Sequence, residues 1–331
     1  RVHRRQRQMC IRDSHKADVI VENFRPGTMK TFGLDYESVR QQNPAVVYVS
    51  MSGFGQNTPW STRPAFAPTV QAESGATQTQ MDHFGDDLLQ PVTDWASHAD
   101  VYTGLEGAIA VLAGLNKRNA TGTGLHGDVS MMATMLAVNE RLHAQINELD
   151  ATDEPLALGA PESPIFKVAD GSLVTIAASP VSSGVFMRYC GMMGRSDLRT
   201  DSRFATPALR RKNLKALLDE VQNWMRSFRS FEELEYQVSG AGGLAVGKVR
   251  TAADLLETDW AKSADPTYTS LVGDHEIRLP KGPWLFNGKD SGALSAAAPR
   301  GANNHEVLSE VGFDEATLRA WQDAGILSSD L

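Results

Sequence analysis

Two short apolar runs, ADVIVE at Ala17–Glu22 and AVVYVS at Ala45–Ser50, flank the polar stretch LDYESVRQQNP. Runs of this length, rich in β-branched residues, suit buried strands, and the stretch between them suits a helix. A strand, a crossover helix and a second strand pair in parallel. This restricts the fold to an α/β class, with an open, mostly parallel sheet and helices on its faces. Ligands of such sheets sit beyond the carboxyl ends of the strands. The loops that follow the two runs, NFRPGTM and SGFGQNTPWSTRP, are therefore where a polar ligand is expected. Taken alone, their Gly, Pro and amide residues are also what ordinary turns require.

Further along, VYTGLEGAIAVLAGL at Val101–Leu115 is small and apolar on most sides, the pattern of a helix buried among its neighbours, with Asp100 just before it. GTGLHGDVS predicts a turn and a strand, and MMATMLAVNERLHAQINEL a long amphipathic helix whose methionines pack a core. The Pro-rich, acidic stretch ATDEPLALGAPESP reads as a linker into a second, smaller α+β unit. There FKVADGSLVTIAA has the form of a hairpin, followed by helices near 185–193, 209–228 and 231–239. HEVLSEVGFDEATLRAWQDAGIL ends the chain as two short helices. The basic, aperiodic opening RVHRRQRQMCIRDS lies outside this ordered pattern and is set aside as a tail or artefact.

A chain of 331 residues exceeds the ~100–200 of one ordinary domain. A net charge of −8 disfavours a nucleic-acid partner, which needs a concentrated basic field. The two cysteines, Cys10 and Cys190, suggest neither a disulfide framework nor a zinc site, so a reducing cytoplasm is expected. No metal-ligand spacing links the eight histidines, and no apolar run reaches the ~18 residues of a membrane span.

Asp100 admits two readings. As a helix N-cap it satisfies orphan amides and contributes about 1 kcal/mol. As a carboxylate held at a helix N-terminus it is also a nucleophile for acyl transfer. His98, two residues earlier, either tunes that carboxylate or serves as a structural hydrogen-bonding residue.

The run ADVIVENFRPGTMKTFGLDYESVRQQNPAVVYVSMSGFGQ closely resembles the class III coenzyme A transferases, which include formyl-CoA and carnitine-CoA transferases and the related acyl-CoA racemases. HADVYTGLEGAIAVLAGL, GTGLHGDVSMMATML, GRSDLRTDSRF, AGGLAVGKVRTAADLL and NNHEVLSEVGFDEATL extend the resemblance from about Ala17 to the C-terminal region. It implies a Rossmann-like fold in an interlocked homodimer, with coenzyme A and acyl-CoA as substrates, a carboxylic acid acceptor and no metal. It also implies Asp100 as the covalent nucleophile. Asn23 and Phe24 match positions lining the coenzyme A site, with Met29, Lys30 and Phe32 in the helix start beside them. Lys30 and Arg63 are candidates for the nucleotide phosphates. The implied organisation is a tail at 1–14, a large α/β domain at 15–150, a linker at 151–164, a small α+β domain at 165–275, and a return to the large domain at 276–331.

Two departures from the family pattern carry expectations of their own. Family members begin with a strand and a Gly-rich turn that this sequence does not show, which predicts an incomplete front end and admits a non-catalytic remnant or binding subunit. In PAFAPTVQ, Phe66 and Ala67 stand where the family places a tyrosine and an acidic or amide residue, or the racemases' histidine. Racemisation needs an acid/base on each face of the α-carbon, and Phe66 cannot supply one. The Gly-rich lid of formyl-CoA transferases is replaced by GAPESP around Gly159, which predicts a different substrate choice.

Overall fold

The computed structural model describes residues 11, 13–79, 97–139, 146–147, 165–272, 275–290 and 298–327. The linker, the Gly159 segment and most of the basic opening fall outside these residues, as do residues 140–145 and 148–149 of the helix predicted from Met131. The chain divides into two compact units, Arg1–Lys248 and Val249–Leu331.

In the first unit, β1 (Val19–Glu22), β2 (Val47–Ser52) and β3 (Leu125–Ser130) form a parallel sheet in the order β1-β2-β3. Between β1 and β2 lie the short helices α1 (Thr28–Phe32) and α2 (Tyr36–Arg40). Asp35 caps α2, accepting from the Ser38 amide at 3.3 Å. The central strand opens on an apolar run because both its faces are covered there: Val46, Val47, Tyr48 and Val49 are each at most 1 % exposed. Each such side chain contributes about 1.5–3 kcal/mol of burial.

Alternation along β2 sends its side chains to two different layers. Val47 and Met51 face α4 (His98–Thr121), while Tyr48 packs on the other side with Val39, Val46, Ile20 and Tyr36. α4 approaches closely through glycine. A Cβ at Gly107 would come within 2.6 Å of Met51 Sδ, and one at Gly114 within 2.5 Å of Val47 Cγ1. The expectation that α4 is buried on most sides is corrected here. Its buried residues are Ala99, Thr103, Gly107 and Gly114, whereas Val101, Leu105, Ile109 and Leu112 are each more than half exposed. The small residues face the sheet, and the large apolar ones face away from it.

α3 (Ala67–Glu73) and α5 (Met131–Val138) pack beside α4. Met131 and Met135 join Phe54, Ala67, Val70 and Ala99 in one cluster, the core role expected of the methionines.

Later in the same unit, β4 (Phe166–Lys167), β5 (Leu173–Ile176) and β6 (Val246–Lys248) make an antiparallel sheet. α6 (Ser183–Met192), α8 (Leu214–Met225) and α9 (Phe231–Glu235) supply Tyr189, Val221, Met225 and Leu234 to its core. The single helix expected over 209–228 is instead α7 (Pro207–Lys212) followed by α8. Asn213 breaks it, its side chain donating to the carbonyls of Leu209 and Arg203. The second unit contains α10 (Ala252–Leu256), α11 (Asp259–Ala264), the hairpin β7 (Thr267–Val272) and β8 (His275–Pro280), and the short pair β9 (Leu285–Phe286) and β10 (Lys289–Asp290). α12 (Asn304–Glu310) and α13 (Glu315–Asp323) are the two short helices expected near the C-terminus.

Candidate active site

Asp100 lies in the first turn of α4, not at its cap. The N-cap is Ser97, whose side chain makes no capping bond. The amide of Ala99 instead donates to Oε1 of Gln71, a residue of α3 that is 3 % exposed. Thr103 Oγ1 donates back to the Ala99 carbonyl at 2.6 Å, which ties the first two turns together. α3 is itself ordered by its start, where the Phe66 amide donates to Thr69 Oγ1. The carboxylate of Asp100 is exposed on this fixed turn, at the end of a 24-residue helix whose partial positive charge favours an anion.

His98 and Tyr102 stack with ring centroids 5.4 Å apart. With Gln71, Thr77 and Met135 they line a hollow of about 150 Å³. Thr77 Oγ1 is buried there and has no hydrogen-bond partner among the described residues. An exposed carboxylate next to such a turn has the access that nucleophilic attack on a carbonyl carbon requires.

The remaining residues expected to bind coenzyme A fall in several places. Asn23 and Phe24 follow β1 directly and are exposed, the Phe24 amide donating to Glu22 Oε2 at 2.9 Å. Phe32 is exposed at the end of α1. Arg63 is not a free surface charge. Its guanidinium stacks over Trp60 at 4.3 Å and Phe54 at 5.0 Å and pairs with Glu73. Met29 and Lys30 line a cavity of about 400 Å³ on the Tyr48 side of the sheet, opposite α4.

The two loops singled out from the sequence meet at that cavity, which receives Arg25 and Gly27 from the first and Gln56 and Asn57 from the second. The second loop is tightly wound. A Cβ at Gly53 would fall 2.1 Å from Ala65 Cβ, and Gly55 has φ +90°. The Gln56 amide donates to Asp128 Oδ2 on β3 at 2.9 Å, fixing the loop over the sheet. Sequence reasoning missed Gln71 and Gln56. Neither carries a local signal, because each acts on a segment distant in the chain.

Residues 9–304 match the family described as CoA-transferase family III. The chain is 27% identical over 320 residues to a succinyl-CoA–D-citramalate CoA-transferase of Chloroflexus aurantiacus, covering 92% of this chain and 75% of the relative. It is 29% identical over 294 residues to an acetyl-CoA:oxalate CoA-transferase of Acetobacter aceti, covering 86% and 71%. Among solved structures, a CAIB/BAIF family protein from Brucella suis superposes with a TM-score of 0.71 at 26% identity, over 92% of this chain and 78% of that one.

Proposed function

Because the chain belongs to CoA-transferase family III, whose members transfer coenzyme A between acids, we propose that it does so through a covalent aspartyl thioester on Asp100. The observation that carries this reading is the exposed Asp100 carboxylate on the capped first turn of α4, within the family match. A carboxylate oxygen of Asp100 attacks the thioester carbon of the donor, and coenzyme A leaves as thiolate, giving a mixed anhydride. The thiolate then attacks the aspartyl carbonyl of the anhydride, releasing the donor acid and leaving aspartyl-CoA. The acceptor carboxylate attacks aspartyl-CoA and expels the thiolate. The thiolate attacks the acceptor's carbonyl in the new anhydride and frees Asp100. No net proton is consumed, and the thioester bond energy is retained. Helix N-terminal amides favour the ionised nucleophile and the tetrahedral oxyanions.

Asn23, Phe24, Met29, Lys30, Phe32 and Arg63 belong to the coenzyme A contact region in this reading. Arg63 acts as a stacked and paired group, and Lys30 as the available cation. Homodimerisation is part of the same proposal, supported by the exposed apolar stripe Val101, Leu105, Ile109 and Leu112 on α4. Light scattering on the purified chain tests it, and a monomer at all concentrations would remove it.

The first test of the chemistry is intact-protein mass spectrometry after incubation with acyl-CoAs, hydroxylamine trapping and mapping of the modified residue. The names of the relatives make succinyl-CoA and acetyl-CoA the first donors to try. Modification at Asp100, absent in Asp100→Asn, is expected. A folded sample with no adduct from any donor would overturn the covalent route.

A further inference from the structure

The hollow among α3, α4 and α5 opens on the flank of α4 turned away from the Asp100 carboxylate. His98 and Tyr102, one turn apart, form one of its walls, and Asp100 stands about 200° round the helix from each of them. Asp100 does not line the hollow.

The lining is rich in donors and free of fixed charge. Gln71, Thr77, His98 and Tyr102 contribute polar groups, Met135 and Val138 an apolar surface, and no carboxylate, lysine or arginine lines it among the described residues. Thr77 Oγ1 is buried with no hydrogen-bond partner among the described residues. A buried hydroxyl in that state carries an uncompensated desolvation cost, so a polar ligand atom at this point is favoured. Gln71 commits Oε1 to the Ala99 amide, which leaves its Nε2 as a donor only. The first turn of the 24-residue α4 lies alongside, and the partial positive charge there favours an anion. Donors at such a helix end, next to apolar side chains, match a carboxylate on a short carbon chain. A space of about 150 Å³ holds a benzene-sized molecule, about six to eight non-hydrogen atoms, and succinate is of that size.

From this geometry we infer a binding site for a free short-chain carboxylic acid in the hollow, distinct from the Asp100 carboxylate and coupled to it through Gln71. Gln71 both lines the hollow and accepts the Ala99 amide at 3.3 Å, so an acid held by its Nε2 restrains the side chain that caps the turn before Asp100. Transfer of coenzyme A between acids consumes one free acid and releases another. An acid bound on the far flank of α4 makes the order of the Asp100 turn depend on acid concentration without occupying the nucleophile. Binding stands independently of Asp100 chemistry, whereas this regulatory meaning rests on the proposed reaction.

Isothermal titration of the whole chain with sodium acetate and sodium succinate, with sodium decanoate as a competitor too long for the space, tests the site. At least one short acid should bind, equally in the parent protein and in Asp100→Asn, and decanoate should not displace it. Thr77→Val keeps the shape, removes the hydroxyl and should weaken binding about fivefold or more. Val138→Trp fills the hollow from its apolar side and should abolish binding, and circular dichroism verifies that both variants fold. In hydrogen exchange, the saturating acid should increase protection of the Ala99 amide. Short acids that fail to bind, are displaced by decanoate, or bind unchanged in the two variants overturn the site. Loss of binding in Asp100→Asn would place the acid at the nucleophile instead, and binding without added protection at Ala99 overturns the coupling. Each of these results leaves acylation of Asp100 to be decided by its own mass shift.

Discussion

Gln71 Oε1 accepts the amide hydrogen of Ala99 at 3.3 Å, so a side chain of one helix caps another whose next residue is Asp100. Helix capping is ordinarily a local matter settled within a few residues. Here it spans 28 residues of chain and joins the position of the carboxylate to the packing of α3.

Replacing Gln71 by Leu should therefore destabilise the protein by about 1–2 kcal/mol in urea titrations, the cost of a lost cap. Gln71→Glu keeps an acceptor oxygen and should recover part of that loss. The rate of Asp100 acylation in the folded fraction should also fall in Gln71→Leu. A stability change with an unaltered rate would limit Gln71 to a structural role.

Asp100→Asn separates chemistry from folding in the opposite sense. The residue is exposed, and its charge interacts with the helix terminus for at most about 1 kcal/mol, so thermal melts should shift little. Coenzyme A transfer in a single-turnover assay should drop on the order of a thousandfold or more, the scale of removing a covalent nucleophile.

Gly114→Val should be among the more damaging substitutions on α4. The added Cβ would lie 2.5 Å from Val47 Cγ1, in the middle of the parallel sheet. Overpacking of this kind costs about 1–3 kcal/mol, readable as a lower denaturation midpoint with an unchanged slope.

The antiparallel sheet carries an acid-sensitive element in Asp170. The backbone amide of Ser172 donates to it at 2.8 Å and holds its carboxyl below the usual carboxylate range, and the Phe231 amide donates at 3.3 Å. A depressed folded-state pKa stabilises above the unfolded value and loses that contribution as pH falls through the folded one. Stability measured from about pH 4.5 down to pH 2 should thus decline less steeply in Asp170→Asn than in the parent protein. Identical acid limbs would show that the turn does not titrate with folding.

The parallel sheet was legible because β1 and the first half of β2 are built from β-branched runs, and β3 follows the turn Gly122-Thr123-Gly124. The β4–β5 hairpin was legible from FKVADGSLVTIAA, whose Asp170 and Gly171 mark the turn between the two strands. The start of α4 was misplaced by a few residues. Ser97 has the residue type of a cap but not the hydrogen bond, and the group that caps comes from another helix. The cavity was legible only as two polar loops. Lys30, Gln56 and His126 come from three separate segments, and only folding of the sheet brings them onto one face. The alternation Tyr48, Ser50, Ser52 on β2 and His126, Asp128, Ser130 on β3 was the available hint of that polar face.

The glycine-mediated seating of α4 also reverses the usual map of mutational tolerance. In most amphipathic helices the bulky apolar positions are the constrained ones and the glycines are where drift accumulates. Along α4, Gly114 leaves no room for a Cβ against Val47 and Gly107 admits one only if Met51 shifts, while Val101, Leu105, Ile109 and Leu112 are each more than half exposed. Any restriction found at those four positions in a mutational scan would therefore report on assembly or turnover, not on the folding of the single chain.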